Sequence, residues 1–566
     1  MAETIISPGV FQRENDISFI QPAPVEAGAA IIGPTVKGPV EIPTTVTSYN
    51  DYVRQFGETF ESGSDVHEFF TSMAVKNYFQ QGGNSVLVTR VVNGTFTQAT
   101  ATAVTAGDGG DAPFVLKTIG KGTIYNNGTS QNSDSSLVDG KEDNVRYEIS
   151  NVNDEKGTFS VSIRRGDDNK NNKIILETFN NVNLDPNSTN YIARVIGNQV
   201  LALNGDATQV DATGSYVNNS NYVYVSEVGR PTLNYLGNDG AIRLGSLSGS
   251  LPTAQSGSFT GATGAVAGGA NFYDNINSSN TQGLQGSDYS DAITLLGNTD
   301  AYKFNVVSAP GIYNADFGST VDSLISLVET RGDAIAVVDL VKHGQTVSAI
   351  NSQAADLNSS YGAAYWPWLQ TQTGAGKFVW APASTFIPGT YAFTDNSSAP
   401  WFAPAGLVRG GLSGVTQAEK KLSRSDRDSL YSNKVNPIAT FPGTGLAVFG
   451  QKTLQSKASA LDRVNVRRLL IELKEFIGNQ ADTLVFEQNT LTTRNRFLSA
   501  VNPYLESVVQ RQGLYAYRVV MDDTNNTADV IDRNQLVGQI FIQPAKTAEF
   551  IILDFVVEPT GATFGA

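Results

Sequence analysis

The chain ends on a strand with almost nothing left to cover it. Residues 549–557 read EFIILDFVV, apolar on both faces when extended, and only nine residues follow. Such a strand is suited to burial on both sides; left at a sheet margin it shows an open apolar edge, which native proteins avoid. Two similar runs precede it, LYAYRVVM from Leu514 and LVGQIFIQ from Leu536, and the other end of the chain carries the short extended segment IISPGVFQREND from Ile5. Pairing with a neighbouring chain by β-augmentation would cover these ends; an ordinary internal edge strand is the other reading. The expected arm residues are Ile5, Ile6, Pro8, Val10 and Phe11 at the start, and Phe550, Ile551, Ile552, Leu553, Phe555, Val556 and Val557 at the end.

Helices are expected just before the last strands. In DRVNVRRLLIELKEFIG, from Asp462, the residues Val466, Leu469, Leu470, Leu473, Phe476 and Ile477 form one 3.6-period stripe, and Gly478 stands where a C-cap belongs. Arg463, Arg467 and Lys474 fall off the stripe and should be exposed, either as a solvated face or as a docking face for an acidic partner. Pro503 predicts a kink or break in the next helix. Thr416-x-x-Glu419 and Ser425-x-x-Asp428 fit N-terminal capping patterns, with Asn436 and Pro437 stopping that helical region.

Composition divides the rest. Helices are expected around Tyr49–Phe56 and over 66–81, the second ended by Gly82 and Gly83, then a strand SVLVTRVV. Residues 96–285 are rich in Gly, Ser, Thr and Asn, broken by RYEIS, FSVSIRR, KIILETF and YVYVSEV, which predicts a β-rich domain with long turns. Residues 246–272 are low in complexity and read as a mobile loop or linker. From residue 302, YKFNVVSAPGI, TVDSLISLVETRG and DAIAVVDL spell strand, helix, strand: a βαβ unit with a parallel pair. Trp366, Trp368, Trp380 and Trp401, the only tryptophans, fall in an aromatic and Pro-rich stretch, read as packed core in preference to a carbohydrate-stacking site.

At 566 residues the chain has room for three or four domains, and no apolar run is long enough to span a membrane. MAETIISPGV lacks the basic and apolar regions of a signal peptide. Without Cys there are no disulfides or thiolate ligands. The net charge of −15 argues against general nucleic-acid binding. It is uneven: residues 1–400 carry −17 and residues 401–566 carry +2, an acidic body and a near-neutral C-terminal part. Catalytic and metal patterns are poor. The segment from Thr371 to Phe378 resembles a phosphate loop without its first Gly and final Ser/Thr. His67 and His343 stand alone, and the Asp167, Asn169, Asn171 spacing lacks the Gly and Glu of a calcium loop. No cofactor, no metal and no enzymatic activity are expected.

The terminal segments closely resemble the tail sheath proteins of contractile-tailed phages, especially the T-even-like group. The matching pieces are SPGVF at 7–11, NVRRL at 465–469, DDTNNT at 522–527, VIDRN at 530–534 and IQPA at 542–545. The likeness is dense over the last quarter, thin at the start and absent in the middle. It implies a multidomain α+β chain: an N-terminal linking arm (1–24), a middle α/β domain (25–95 and 286–404), an outer β-rich insertion (96–285), an inner α/β domain (405–545) and a C-terminal linking arm (546–566). The inner domain would be built from both chain ends, with a β-sheet completed by neighbouring subunits. The resemblance also implies a virion protein, made and assembled in the host cytoplasm. It would stack as hexameric rings around a tail tube and contract to drive that tube through the host envelope for genome delivery. Its partners would be copies of itself, the tail tube protein, and baseplate and tail terminator proteins, with no nucleic acid and no membrane insertion. Arg463, Arg467 and Lys474 would be the candidate tube-facing residues. The sheath of a phage-derived bacterial injection system and a β-rich surface-binding adhesin remain as alternatives.

Overall fold

The computed structural model describes residues 26–549 except 64, 238, 267–271, 275 and 444. Both expected arms, Ile5, Ile6, Pro8, Val10 and Phe11 and then Phe550, Ile551, Ile552, Leu553, Phe555, Val556 and Val557, lie outside the described residues. Within them the chain is a mixed α/β, multidomain protein built around an eight-stranded sheet.

Continuous apolar runs form the middle of that sheet, because a strand covered on both faces has no polar side to keep. Ala29–Gly33, Val86–Arg90, Val306–Tyr313, Ile335–Asp339 and Gly362–Trp366 are buried at every position. The order runs Gly445–Val448, Val435–Phe441, Gly362–Trp366, Ile335–Asp339, Val306–Tyr313, Ala29–Gly33, Val86–Arg90, Thr44–Val46. The six inner strands pair in parallel, and the two outermost are antiparallel to their neighbours. The expected βαβ unit is present, its helix being Asn314–Arg331 with Gly332 at φ 72 as C-cap. The sheet takes two strands from beyond residue 404, so this layer reaches past the expected start of the inner part. One margin is the three-residue strand Thr44–Val46. The other is lined by backbone, with Val448 N donating to Gly410 O at 2.8 Å and Leu412 N to Leu446 O at 3.2 Å.

Local expectations fared unevenly. The helix Tyr49–Phe56 is present, capped by Ser48. The helix expected over 66–81 is instead a strand, Asp65–Glu68, followed by the helix Phe70–Gln80; the strand turns back at Gly63 and pairs with Thr59–Ser62. Thr416 caps no helix: it lies in the strand Val415–Ala418, where its hydroxyl donates to Gln370 O. The next helix, Arg424–Ser432, is capped by Ser423 in a capping box with Asp426, two residues before the expected position. Asn436 and Pro437 sit within a strand, and the Asn436 amide bonds Ala364 O and Lys452 O. Three of the four tryptophans are buried core, Trp366, Trp368 and Trp401, and Trp380 packs half-buried against it.

The insertion has its own core, around Phe114 and Phe159 stacked 5.6 Å apart. Two four-stranded sheets enclose it. The low-complexity stretch is not simply a linker: Gln255–Gly257 and Phe259–Thr260 add an edge strand to each sheet. Its small residues are needed for approach, since a Cβ on Gly257 would stand 2.4 Å from the Tyr147 ring. The insertion is fastened to the central sheet through the fully buried Arg90, whose guanidinium donates to Gly38 O at 2.7 Å and Lys121 O at 2.8 Å. Lys37 pairs with Asp143 at 2.8 Å beside it.

Candidate assembly interface

The C-terminal unit is two helices, Val464–Asp482 and Leu491–Gln510, and a ribbon of two strands, Leu514–Val520 and Gln539–Pro544. Its core is separate from the central one and comprises Leu469, Leu473, Leu484, Phe497, Val501, Leu505, Val508 and Leu514 with Trp401. Trp401 joins the two parts: its indole N–H donates to Arg511 O at 3.0 Å, and its own carbonyl accepts from Asn465 at 3.3 Å. Neither helix breaks where the sequence suggested. The first runs through Gly478 and the second through Pro503.

The helix Val464–Asp482 faces two cores at once, which decides the fate of its basic residues. Leu469 and Leu473 face the C-terminal core, while Val464 and Ile471 face the central one. Arg467 and Arg468 lie on the turn between Val464 and Ile471 and are pulled inward with them. The expected exposure of Arg467 is therefore wrong: it is 4% exposed. It donates to the carbonyl and hydroxyl of Ser360 and covers the Tyr361 ring at 3.8 Å. Burial lowers its pKa. Arg468, which the sequence reading missed, pairs with Asp395 at 2.5 Å and stacks on Tyr391. Lys474 is exposed, as expected, with Nζ 3.1 Å from the Tyr361 hydroxyl. The spacing Val464, Arg467/Arg468, Ile471 is a second helical stripe, and it was the available signal.

Arg463 is only partly exposed, because Glu549 occupies it. Arg463 Nε and Nη2 donate to Glu549 Oε1 and Oε2 at 2.7 and 3.0 Å. Gln451 donates to Oε1 at 3.0 Å and Tyr431 to Oε2 at 2.8 Å. Burial pushes the Glu549 carboxyl up, yet the hydrogen bonds from Arg463, Gln451 and Tyr431 more than offset it and hold it below the usual range. The last described residue is thus clamped to the body.

The ribbon is the opposite case. Its strands pair only with each other among the described residues. They were expected to be buried on both faces, but most of their residues are partly or fully exposed; Tyr515 is 64% and Phe541 56% exposed. A two-stranded ribbon is marginal alone in water. Here the turn stabilises it: the buried Asn526 side chain accepts from Val537 N and donates to Val537 O, both at 2.8 Å, and Asn525 Oδ1 accepts from Asp522 N. Arg494 reaches the same turn, bonding Asp523 at 2.6 Å. The DDTNNT segment is therefore a structural turn that sets the ribbon's register.

Residues 282–454 match the phage tail sheath protein central domain, and residues 456–558 match the phage tail sheath C-terminal domain. Over these two regions, just under half of its length, the chain is similar to phage tail sheath proteins. Over 185 residues it is 44% identical to the tail sheath protein of Vibrio phage KVP40 and 42% identical to that of Enterobacteria phage T4. Each match takes in 33% of this chain and 28% of the relative, so the chain spans just over a quarter of the curated relatives it matches. A crystal structure of a sheath tail protein from Listeria innocua shares the fold, with a TM-score of 0.53 at 12% identity over 92% of this chain and 96% of that one. The boundary at 454–456 between the two matched regions falls between the last strand of the central sheet and the helix that begins the C-terminal unit. Among the described residues no helix is long and apolar enough to cross a membrane, and no cluster of His, Asp and Glu could hold a metal ion.

Proposed function

We propose that this chain is the structural, non-catalytic subunit of a contractile tail sheath. It stacks as hexameric rings around a tail tube between baseplate and terminator proteins. Contraction then repacks the subunits as rigid bodies and drives the tube through the host envelope for genome delivery. One observation carries the reading. Among the described residues the ribbon offers open backbone edges and exposed aromatic residues, while the sequence continues beyond the Glu549 clamp with FIILDFVV. The C-terminal arm, with the N-terminal one, would add strands to a neighbour's ribbon and remain attached while the bodies rotate. Of the three basic residues, only Lys474 is free enough to face a tube, since Arg467 is buried and Arg463 is engaged. Burial of Trp366, Trp368 and Trp401 speaks against a stacking site at the tryptophans, on which the adhesin reading partly rested. Electron microscopy of the purified protein tests this: long hollow tubes are expected, and dispersed particles under all conditions would reject it.

A further inference from the structure

The loop between the two C-terminal helices carries an apolar knob. Phe486 is 103% exposed, with Val485 at 59% and Leu491 at 64% beside it. Phe486 also sits at φ 70, a left-handed conformation that is unfavourable for a bulky side chain. Strain of this kind gathers at sites of function. Asp482 and Glu487 flank the knob, and among the described residues Glu487 has a loose, exposed pair with Arg496 at 3.7 Å.

A groove of about 500 Å³ lies near the other end of the helix Val464–Asp482. Its apolar wall includes Pro437 and Phe449, the latter 45% exposed. Arg424 and Arg427 also line it. The Arg427 guanidinium lies 5.6 Å from the Phe449 ring, and its Nε has no acceptor among the described residues. With Glu549 already held by Arg463, the described lining holds these two guanidiniums against the single further carboxylate of Asp428, a net positive charge.

We propose that the Val485 and Phe486 knob of one subunit seats in the Phe449 groove of a second copy of this chain. Asp482 and Glu487 then face Arg424 and Arg427. The knob cannot fill its own groove: the 19-residue helix between them is ~28 Å long at 1.5 Å per residue. The contact is therefore head-to-tail, the kind that closes into a ring or propagates as a helical filament. It uses side chains, separately from the ribbon's backbone edges, and it rests on the sheath reading only in requiring a polymer.

The chain lacks Cys, so Phe486→Cys and Phe449→Cys placed in one chain report the contact directly. Oxidation of assembled protein, and of concentrated dispersed protein, should give a ladder of covalent multimers on a non-reducing gel. A mixture of the two single variants should stop at dimers. Separately, Glu487→Arg or Arg427→Glu alone should raise the critical concentration for assembly about tenfold or more, with unchanged melting, and the two together should restore it. Tubes without a ladder, dimers of the Phe486→Cys variant alone, or failure of the paired reversal to restore assembly would overturn the proposal. If no tubes form, the sheath reading fails by itself, and the dispersed-protein ladder still decides this contact.

Discussion

Arg463 grips Glu549 through two parallel hydrogen bonds, Nε to Oε1 at 2.7 Å and Nη2 to Oε2 at 3.0 Å, eighty-six residues apart in the chain. The pair joins the start of the helix Val464–Asp482 to the last described residue before the C-terminal arm.

Replacing Glu549 by Gln should cost about 1.5–3 kcal/mol at neutral pH, the usual worth of a hydrogen bond to a charged group. The folded carboxyl is held below its ordinary value. Its contribution is therefore complete above the unfolded pKa of ~4.3 and lost as pH falls through the folded value. Melting temperatures of the two proteins should converge in acid; a gap that persists at low pH would mean the effect is not ionic.

Asp339 behaves in the opposite sense. It is buried at the end of its strand, accepting from Ser384 N and Oγ at 3.1 and 2.5 Å, and burial pushes its pKa up to about 7. The folded state then holds a proton that the unfolded chain has released above ~3.9, so this residue lowers stability progressively as pH rises towards 7. Asp339→Asn should stabilise the protein more at pH 8 than at pH 4 in denaturant melts.

Arg467 and Lys474 should separate cleanly. Arg467→Ala removes a buried cation from Ser360 and Tyr361 and should destabilise the subunit by about 1–3 kcal/mol. Lys474→Ala, at the surface, should stay within about 0.5 kcal/mol. If Lys474 faces an acidic tube, its reversal to Glu should weaken growth of sheath on tubes, and rising salt should erase the difference between the two proteins. Growth of the Lys474→Glu protein that matches wild type at low salt would assign it to solvent.

Removing residues 550–566 should leave a soluble monomer with an unchanged melting transition that no longer polymerises, because the three cores are built from residues before 550. Each apolar side chain lost from a joint is worth about 1.5–3 kcal/mol. Removing residues 5–11 should act alike. A truncated protein that unfolds as a monomer, or that still builds contractile tubes, would refute the tether.

Deleting residues 96–285 behind a short Gly/Ser linker should leave assembly possible, since residues 96–262 keep a core of their own, although Phe272, Tyr273, Ile276 and Leu284 pack in the central one. It should also cost stability, because the central core loses Phe272, Tyr273, Ile276 and Leu284, Arg90 loses the Lys121 carbonyl and Lys37 loses Asp143. Adding Arg90→Met to the deletion should recover part of that loss in thermal melts. A soluble, folded deletion that cannot polymerise would place the insertion in the assembly core.

The parallel strands were legible because strands buried on both faces leave unbroken apolar runs, as in Ile335–Asp339. The insertion's strands were legible from alternation. What escaped depends on long-range contact. Arg467 and Arg468 read as polar until the second core beside Val464 and Ile471 is known. Gly257 and Phe259 read as linker because their neighbours Tyr147 and Ala101 lie more than a hundred residues away. The ribbon's expected burial on both faces was misjudged, since Tyr515 and Phe541 are exposed in the single chain.

The margins of the central sheet have a bearing on how such a chain could be stockpiled. One margin is only three residues long, and the other is occupied by the backbone of Gly410 and Leu412. Neither can template sideways growth. Strands of unassembled copies are thus denied the longest sheet of the molecule as a place to add on, whatever other surfaces they meet through.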